Sequence, residues 1–336
     1  MPAQRPRGLV AVSSVAAILL ATSTSAASAH LPPSAVGAPA SSSSALSLAT
    51  SQPSALHSPP LIGVTHGQDE RASRAPHPWK PKSKKLPGTR CHAFPKRSAW
   101  HADVSGLPVH PRSAQWLAST GAATTRLHPD FGPSYGEQSV PYGIPITIVK
   151  SKAKPKKKVR FGYADESDKV RYPLNRRTKI EGGKNASGDR HAIVVHAKTC
   201  KLYETWNTRR TSTGWTAGSG AVWSLKSNKL RPAGWTSADA AGLPILPGLL
   251  RWDEVKRGRV DHAIRFTVST SQKSYLWPAR HHAGSTNNAA VPPMGARFRL
   301  KKSFDVSGYS ARARVVLRAM KRHGMGLFTI HGVPVV

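Results

Sequence analysis

The sequence predicts a mainly β fold, a β-sandwich or jelly-roll-like single domain with a few short helices. Three observations lead there. Apolar or alternating runs of roughly four to eight residues recur between clusters of Gly, Pro, Asn and Ser, as strands do. Helical periodicity is confined to two short segments, and no internal repeat of fixed period is visible.

The chain opens with Arg5 and Arg7, an apolar run over 9–21, and the small-residue ending Ala27-Ser28-Ala29. That order reads as a signal peptide over 1–29 and predicts a secreted protein. The run is shorter than the roughly 20 apolar residues a membrane-spanning helix needs, and no later segment is longer, so no transmembrane segment is expected. Residues 30–98 read as a disordered linker. Its first half is Ser, Ala and Pro, and its second half is basic and Pro-rich, with Lys80, Lys82, Lys84 and Lys85. Neither half carries the apolar periodicity that would offset the entropy of ordering. The β-rich domain is expected over 99–336.

Within that domain the strand-like segments are 146–149, 192–196, 221–225, 263–268 and 296–300. Residues 190–206 read as a hairpin turning at Lys198 and Thr199, with Cys200 at the start of the second strand. Ser237 opens a short helical turn over 238–241. Ser310 is placed to cap a helix over 311–322, where Val315, Val316, Leu317, Ala319 and Met320 form an apolar stripe and Gly324 supplies the stop.

Cys91 and Cys200 are the two cysteines of the chain. In an oxidising compartment an isolated pair is expected to join, which would tie the basic linker to the domain. Zinc is the competing reading, although neither cysteine has a CxxC partner.

Lys and Arg number 50 against 16 Asp and Glu, a formal charge of +34, with one cluster over 150–160. Such a field attracts polyanions: nucleic acid, teichoic or uronic polymers, or an anionic surface. Export argues against nucleic acid as partner, and the sequence holds no recognisable nucleic-acid motif. The plainer reading is a solvated surface kept basic for solubility.

Longer motifs bring a resemblance. HPDFG (128–132), YADESD (163–168), IEGG and GDRH (180–191), CKLYE (200–204), LRPAGWTSADAAGLPILPGLLRWDEV (230–255), DHAIRFTV (261–268), WPARHHA (277–283) and PPMGARFRLK (292–301) resemble a family of exported bacterial proteins of uncharacterised function. The resemblance covers about residues 100–325 and implies no activity. Relatives continue past the Lys-Arg-His-Gly-Met segment into an Ala-Asp-Asn-Gly-Ser stretch, whereas 326–336 reads differently. A truncated C-terminal end lacking a closing strand is the resulting expectation.

Several side chains could carry chemistry. His262 shares a face with Ile264, Phe266 and Val268, the position of a cleft residue or of a satisfied core histidine. Asp189 and His191 share a face at the mouth of the hairpin, and His281 and His282 follow Arg280 in a loop. With His128 and Asp130 these could bind a divalent metal if they converge, although no HExxH or other spacing-defined metal motif is present. For glycoside hydrolysis the available acids are Asp165, Glu166, Asp168, Glu181, Glu204, Asp253 and Glu254. For elimination from a uronate, Arg190, Arg265, Arg280 and Arg297 could neutralise the carboxylate while a His or Tyr removes the proton. Nine tryptophans, among them Trp206, Trp215, Trp223, Trp235, Trp252 and Trp277, could stack on sugar rings or simply fill the core. No GxSxG elbow is present, and Gly218-Ser219-Gly220 reads as a turn.

The functional expectation is a secreted protein that cleaves an extracellular polysaccharide, as a glycoside hydrolase or polysaccharide lyase. Its catalytic candidates are His191, His262, His282, Asp189, Glu181 and Asp253, and its substrate-binding candidates Arg190, Arg265, Arg280, Trp277 and Arg297. The alternative is a non-catalytic protein that binds an anionic cell-wall polymer or surface.

Overall fold

The computed structural model describes residues 85–127, 129, 143–150, 155–183 and 185–330. The signal peptide, most of the linker, His128 and Asp130 lie outside them. The described residues fall in one compact unit, and the chain is mainly β, as its patterning predicts. The described strands are distributed over three small sheets, accompanied by short helices.

The largest sheet is built on the expected hairpin. Strands β3 (Ala192–His196) and β4 (Lys201–Trp206) pair antiparallel, with Cys200 held at φ +55° in the turn between them. The strand β1 (Ile146–Val149) adds in parallel beside β3, and β7 (Ser219–Ser224) antiparallel beside β4, giving the order β1-β3-β4-β7. All five residues of β3 are buried, which is why it reads as an unbroken apolar run instead of an alternation. Its two faces enter different layers. Ile193 and Val195, with Leu202 of β4, pack against Leu86, Phe94, Trp223, Ile245 and Leu246. Val194 and Tyr203 pack on the other side against Tyr172, Leu174 and Trp215.

That second layer is closed by a small sheet of β2 (Val159–Phe161), β5 (Arg209–Arg210) and β6 (Trp215–Ala217), in the order β2-β6-β5. Gly220 of β7 lies under the Phe161 ring and the Tyr172 hydroxyl, where a Cβ would collide with both. The third sheet, β8-β10-β9, consists of β8 (Ile264–Val268), β9 (Arg297–Phe298) and β10 (Met325–Ile330). Helix α3 (Ala311–Arg322) lays Val315, Ala319 and Met320 onto its core, which also holds Trp100, Phe266, Met294 and Leu327. The Ser310 hydroxyl caps α3 by accepting from the Ala313 N–H, and Gly324 leaves it at φ +70°. The other α-helices are α1 (Ser113–Ser119) and α2 (Trp252–Lys256).

The divergent residues contribute to a strand: β10 lies in the middle of its sheet, parallel to β8 and antiparallel to β9. Backbone pairing does not depend on side-chain identity, and Met325 and Leu327 supply the buried alternation that the position needs. Three expectations change. Residues 85–98, assigned to the linker by composition, pack into the domain. Leu86, Cys91 and Phe94 are buried, and Cys91 is bonded to Cys200 across 109 residues of sequence. A cross-link and three apolar side chains offset the ordering entropy that local composition cannot. Residues 238–241 form turns instead of a helix, since Ser237 Oγ bonds forward to the Asp239 and Leu243 carbonyls and closes a loop. The strand expected over 296–300 shortens to Arg297–Phe298.

Replacing Cys91 and Cys200 together by Ser frees a long loop in the unfolded chain. The unfolding free energy should fall by about 2–5 kcal/mol, measured by urea denaturation.

Candidate functional site

The residues picked out by the sequence do not gather around one cleft. Some of them gather around one loop. Glu181 and His191 meet at the mouth of the hairpin, where the Glu181 backbone N–H donates to the His191 carbonyl. Glu181 Oε2 lies 2.6 Å from His191 Nδ1 and accepts from the His191 backbone N–H at 3.1 Å. His191 Nε2 lies 3.1 Å from the Ala238 carbonyl, so both ring nitrogens face acceptors. Burial pushes the Glu181 carboxyl up, but the hydrogen bonds and charge of His191 outweigh it and hold the group below its ordinary range.

Asp239, the next residue of the loop, is buried and bonded through Oδ1 to Arg265 Nη2 at 3.0 Å. Burial pushes its carboxyl up to about 6 against the opposing pull of Arg265. The Ala240 carbonyl lies 2.8 Å from His281 Nδ1, and the Ala241 carbonyl accepts from the Arg280 and His281 backbone N–H groups. A few residues on, the Ile245 and Leu246 N–H groups each donate at 2.8 Å to the carboxylate of Glu204, which is fully buried on β4. Burial pushes Glu204 up to about 7 even though those two N–H groups favour the charged form. Thus His191 just before β3, Glu204 of β4, and Arg280 and His281 fasten the 237–246 backbone, while Arg265 of β8 holds the Asp239 side chain.

The remaining candidates lie elsewhere. His262 is buried, with Nε2 3.1 Å from Glu254 Oε2 and Nδ1 2.8 Å from the Ala263 carbonyl. It is the satisfied core histidine among the two readings of its position. Glu254 belongs to α2 and also accepts from Arg251 at 2.5 Å. Asp253, one residue earlier, pairs with Arg251 and Arg257. His101 and His323 belong to the same buried group, and burial holds His323 down to about 4. Asp189 is engaged by the hairpin's indole. Its Oδ1 accepts from Trp206 Nε1 at 3.0 Å.

Of the substrate-binding candidates, Arg190 is buried and donates to the Gly183, Ala186 and Thr208 carbonyls. Burial, and then the nearby Arg209 charge, hold its guanidinium below the ordinary range. Arg297 donates to the Ala99 carbonyl and is pulled down to about 10 by burial, and Arg280 donates to the Arg231 carbonyl. Trp277 is the exception, with 69% of its surface exposed. His282 stacks on His281 with ring centroids 5.5 Å apart. Ser219 Oγ donates to the Ser237 carbonyl.

A cavity of about 370 Å³ runs along β1, lined by Leu86, Ile144, Ile146, Ile148, Leu250 and Trp252 among others, and Asp253 is the one proposed site residue on its wall. Among the described residues no group of three or more His, Cys, Asp or Glu side chains is placed to hold a metal ion, and no helix is long and apolar enough to cross a membrane. What the sequence reading missed is the outer face of the β2-β6-β5 sheet. Its signal was the 150–160 charge cluster together with Arg209 and Arg210, which only strand pairing brings together. No protein-family model, curated protein or solved structure matches the chain.

Glu204 has a folded pKa above its unfolded value of 4.5, so its contribution to stability is present below that value and lost as pH rises through about 7. Glu204→Gln should therefore gain stability relative to the parent between pH 5 and pH 8. Urea midpoints at the two values read the difference.

Proposed function

We propose that this is an exported protein whose domain binds an extracellular anionic polymer through the outer face of the β2-β6-β5 sheet. One observation carries the reading: the strands of that sheet and the residues leading into β2 bring cations together and carry no acid of their own. Lys156, Lys158 and Arg160 are exposed at alternate positions along β2 and the residues leading into it, while Val159 and Phe161 turn toward Tyr172 and Trp215. Arg160 and Arg209 both register with Thr216 of β6 and so flank it, roughly 10 Å apart by two strand spacings. Arg171 lies beside them, donating to the Lys156 carbonyl at 2.9 Å.

Residues 155–160, 169–179 and 207–217 contain no Asp or Glu. None of Lys156, Lys158, Arg160, Arg171, Arg209 or Arg210 is in an ion pair among the described residues. A surface made basic for solubility intersperses the two signs, whereas a one-signed face repels itself until an anion arrives. The His and acid candidates for cleavage are largely engaged with each other or with backbone, which favours binding over hydrolysis or elimination.

Affinity for polygalacturonate should fall steeply with salt, while neutral dextran is not retained. Arg160→Ala with Arg209→Ala should reduce the slope of log K against log salt by about two, one unit per cation. New reducing ends or unsaturated-uronate absorbance in the same mixtures would restore the enzymatic reading, and an unchanged slope would remove the face from the binding site.

A further inference from the structure

Where β2 ends, two aromatic rings lie side by side. Tyr163 is 54% exposed, and its ring centroid is 6.3 Å from that of Trp206, the planes tilted by 40°. Backbone bonds place the pair at one end of the cationic sheet. The Gly162 N–H donates to the Ala217 carbonyl at 3.0 Å, and the Tyr163 N–H to the Gly218 carbonyl at 2.8 Å. The Trp206 ring rests on Gly218, where any Cβ would strike it, and its Nε1 is tethered to Asp189. The ring is therefore fixed before any ligand arrives.

The cations of the sheet lie a few residues from these rings in the chain. Arg160 precedes Tyr163 by three residues, and Arg209 follows Trp206 by three, its Nε donating to Asn207 Oδ1 at 3.2 Å. A polyanion site built from charge alone has no use for an exposed tyrosine beside a half-buried indole. Sugar rings do: their apolar C–H faces stack on aromatic rings while a guanidinium pairs with the carboxylate.

We propose that Tyr163 and Trp206 form a sugar-ring subsite at the end of the sheet that carries Arg160 and Arg209, so that the polymer is a chain of acidic sugar rings and not a ring-free phosphate backbone. The inference rests on the polyanion-binding reading above.

The test compares polygalacturonate with linear polyphosphate at one salt concentration, using the parent protein, Tyr163→Ala and Tyr163→Phe, with tryptophan fluorescence as a second readout. Tyr163→Ala should weaken polygalacturonate binding about five- to tenfold and leave polyphosphate binding unchanged. Tyr163→Phe keeps the ring and should restore it. Equal losses for both polymers, or no loss for either, would overturn the subsite while leaving polyanion binding standing. If the parent binds neither polymer, the polyanion reading falls and takes the subsite with it.

Discussion

Because the β3-β4 hairpin is covered on both faces, every buried polar group it carries has to find a partner inside the protein, and the surrounding chain is arranged to supply those partners. Glu204 shows the constraint most directly. It alternates with Leu202 on the inner face of β4, so its carboxylate enters an apolar layer. A carboxylate there without donors would be strongly destabilising, and two backbone N–H groups from Ile245 and Leu246 meet it. The same bonds fix a loop that has little regular structure of its own.

Once that loop is held, it becomes the common attachment of the β-layers. His191 reaches it from the residue before β3, Arg265 from β8, and His281 from the segment after Trp277. These side chains would suggest catalysis in a cleft, yet here they satisfy backbone carbonyls and one buried acid. The disulfide acts from the other direction, bringing the 85–98 segment onto the hairpin turn so that Leu86 and Phe94 complete the inner layer. A basic, Pro-rich stretch thereby joins a core that its composition alone would not earn it.

With the acids drawn inward, the cations are left at the surface. Asp168 holds Arg231, Glu254 holds Arg251, and Asp239 holds Arg265, so these carboxylates are occupied in packing the interior or its margins. The small sheet receives none of that compensation. Its cations have no acidic partner among the described residues, and the Tyr163 and Trp206 rings lie where β2 ends.

By itself the sequence determined what depends on neighbours in the chain. The hairpin over 190–206, strands 146–149 and 192–196, and the capped helix after Ser310 follow from period, turn chemistry and a cap, all short-range properties. The mainly β class and the Cys91–Cys200 bond followed as well, the latter because two cysteines leave one possible partner each. Tertiary structure alone decided that Glu181 and His191 meet, that His262 faces Glu254 and not a cleft, and that Arg160 and Arg209 flank Thr216. Each of these joins separate stretches of chain through folding, pairing residues 7 to 56 positions apart, and a linear pattern carries charge and polarity but not the register or burial that turns them into a site.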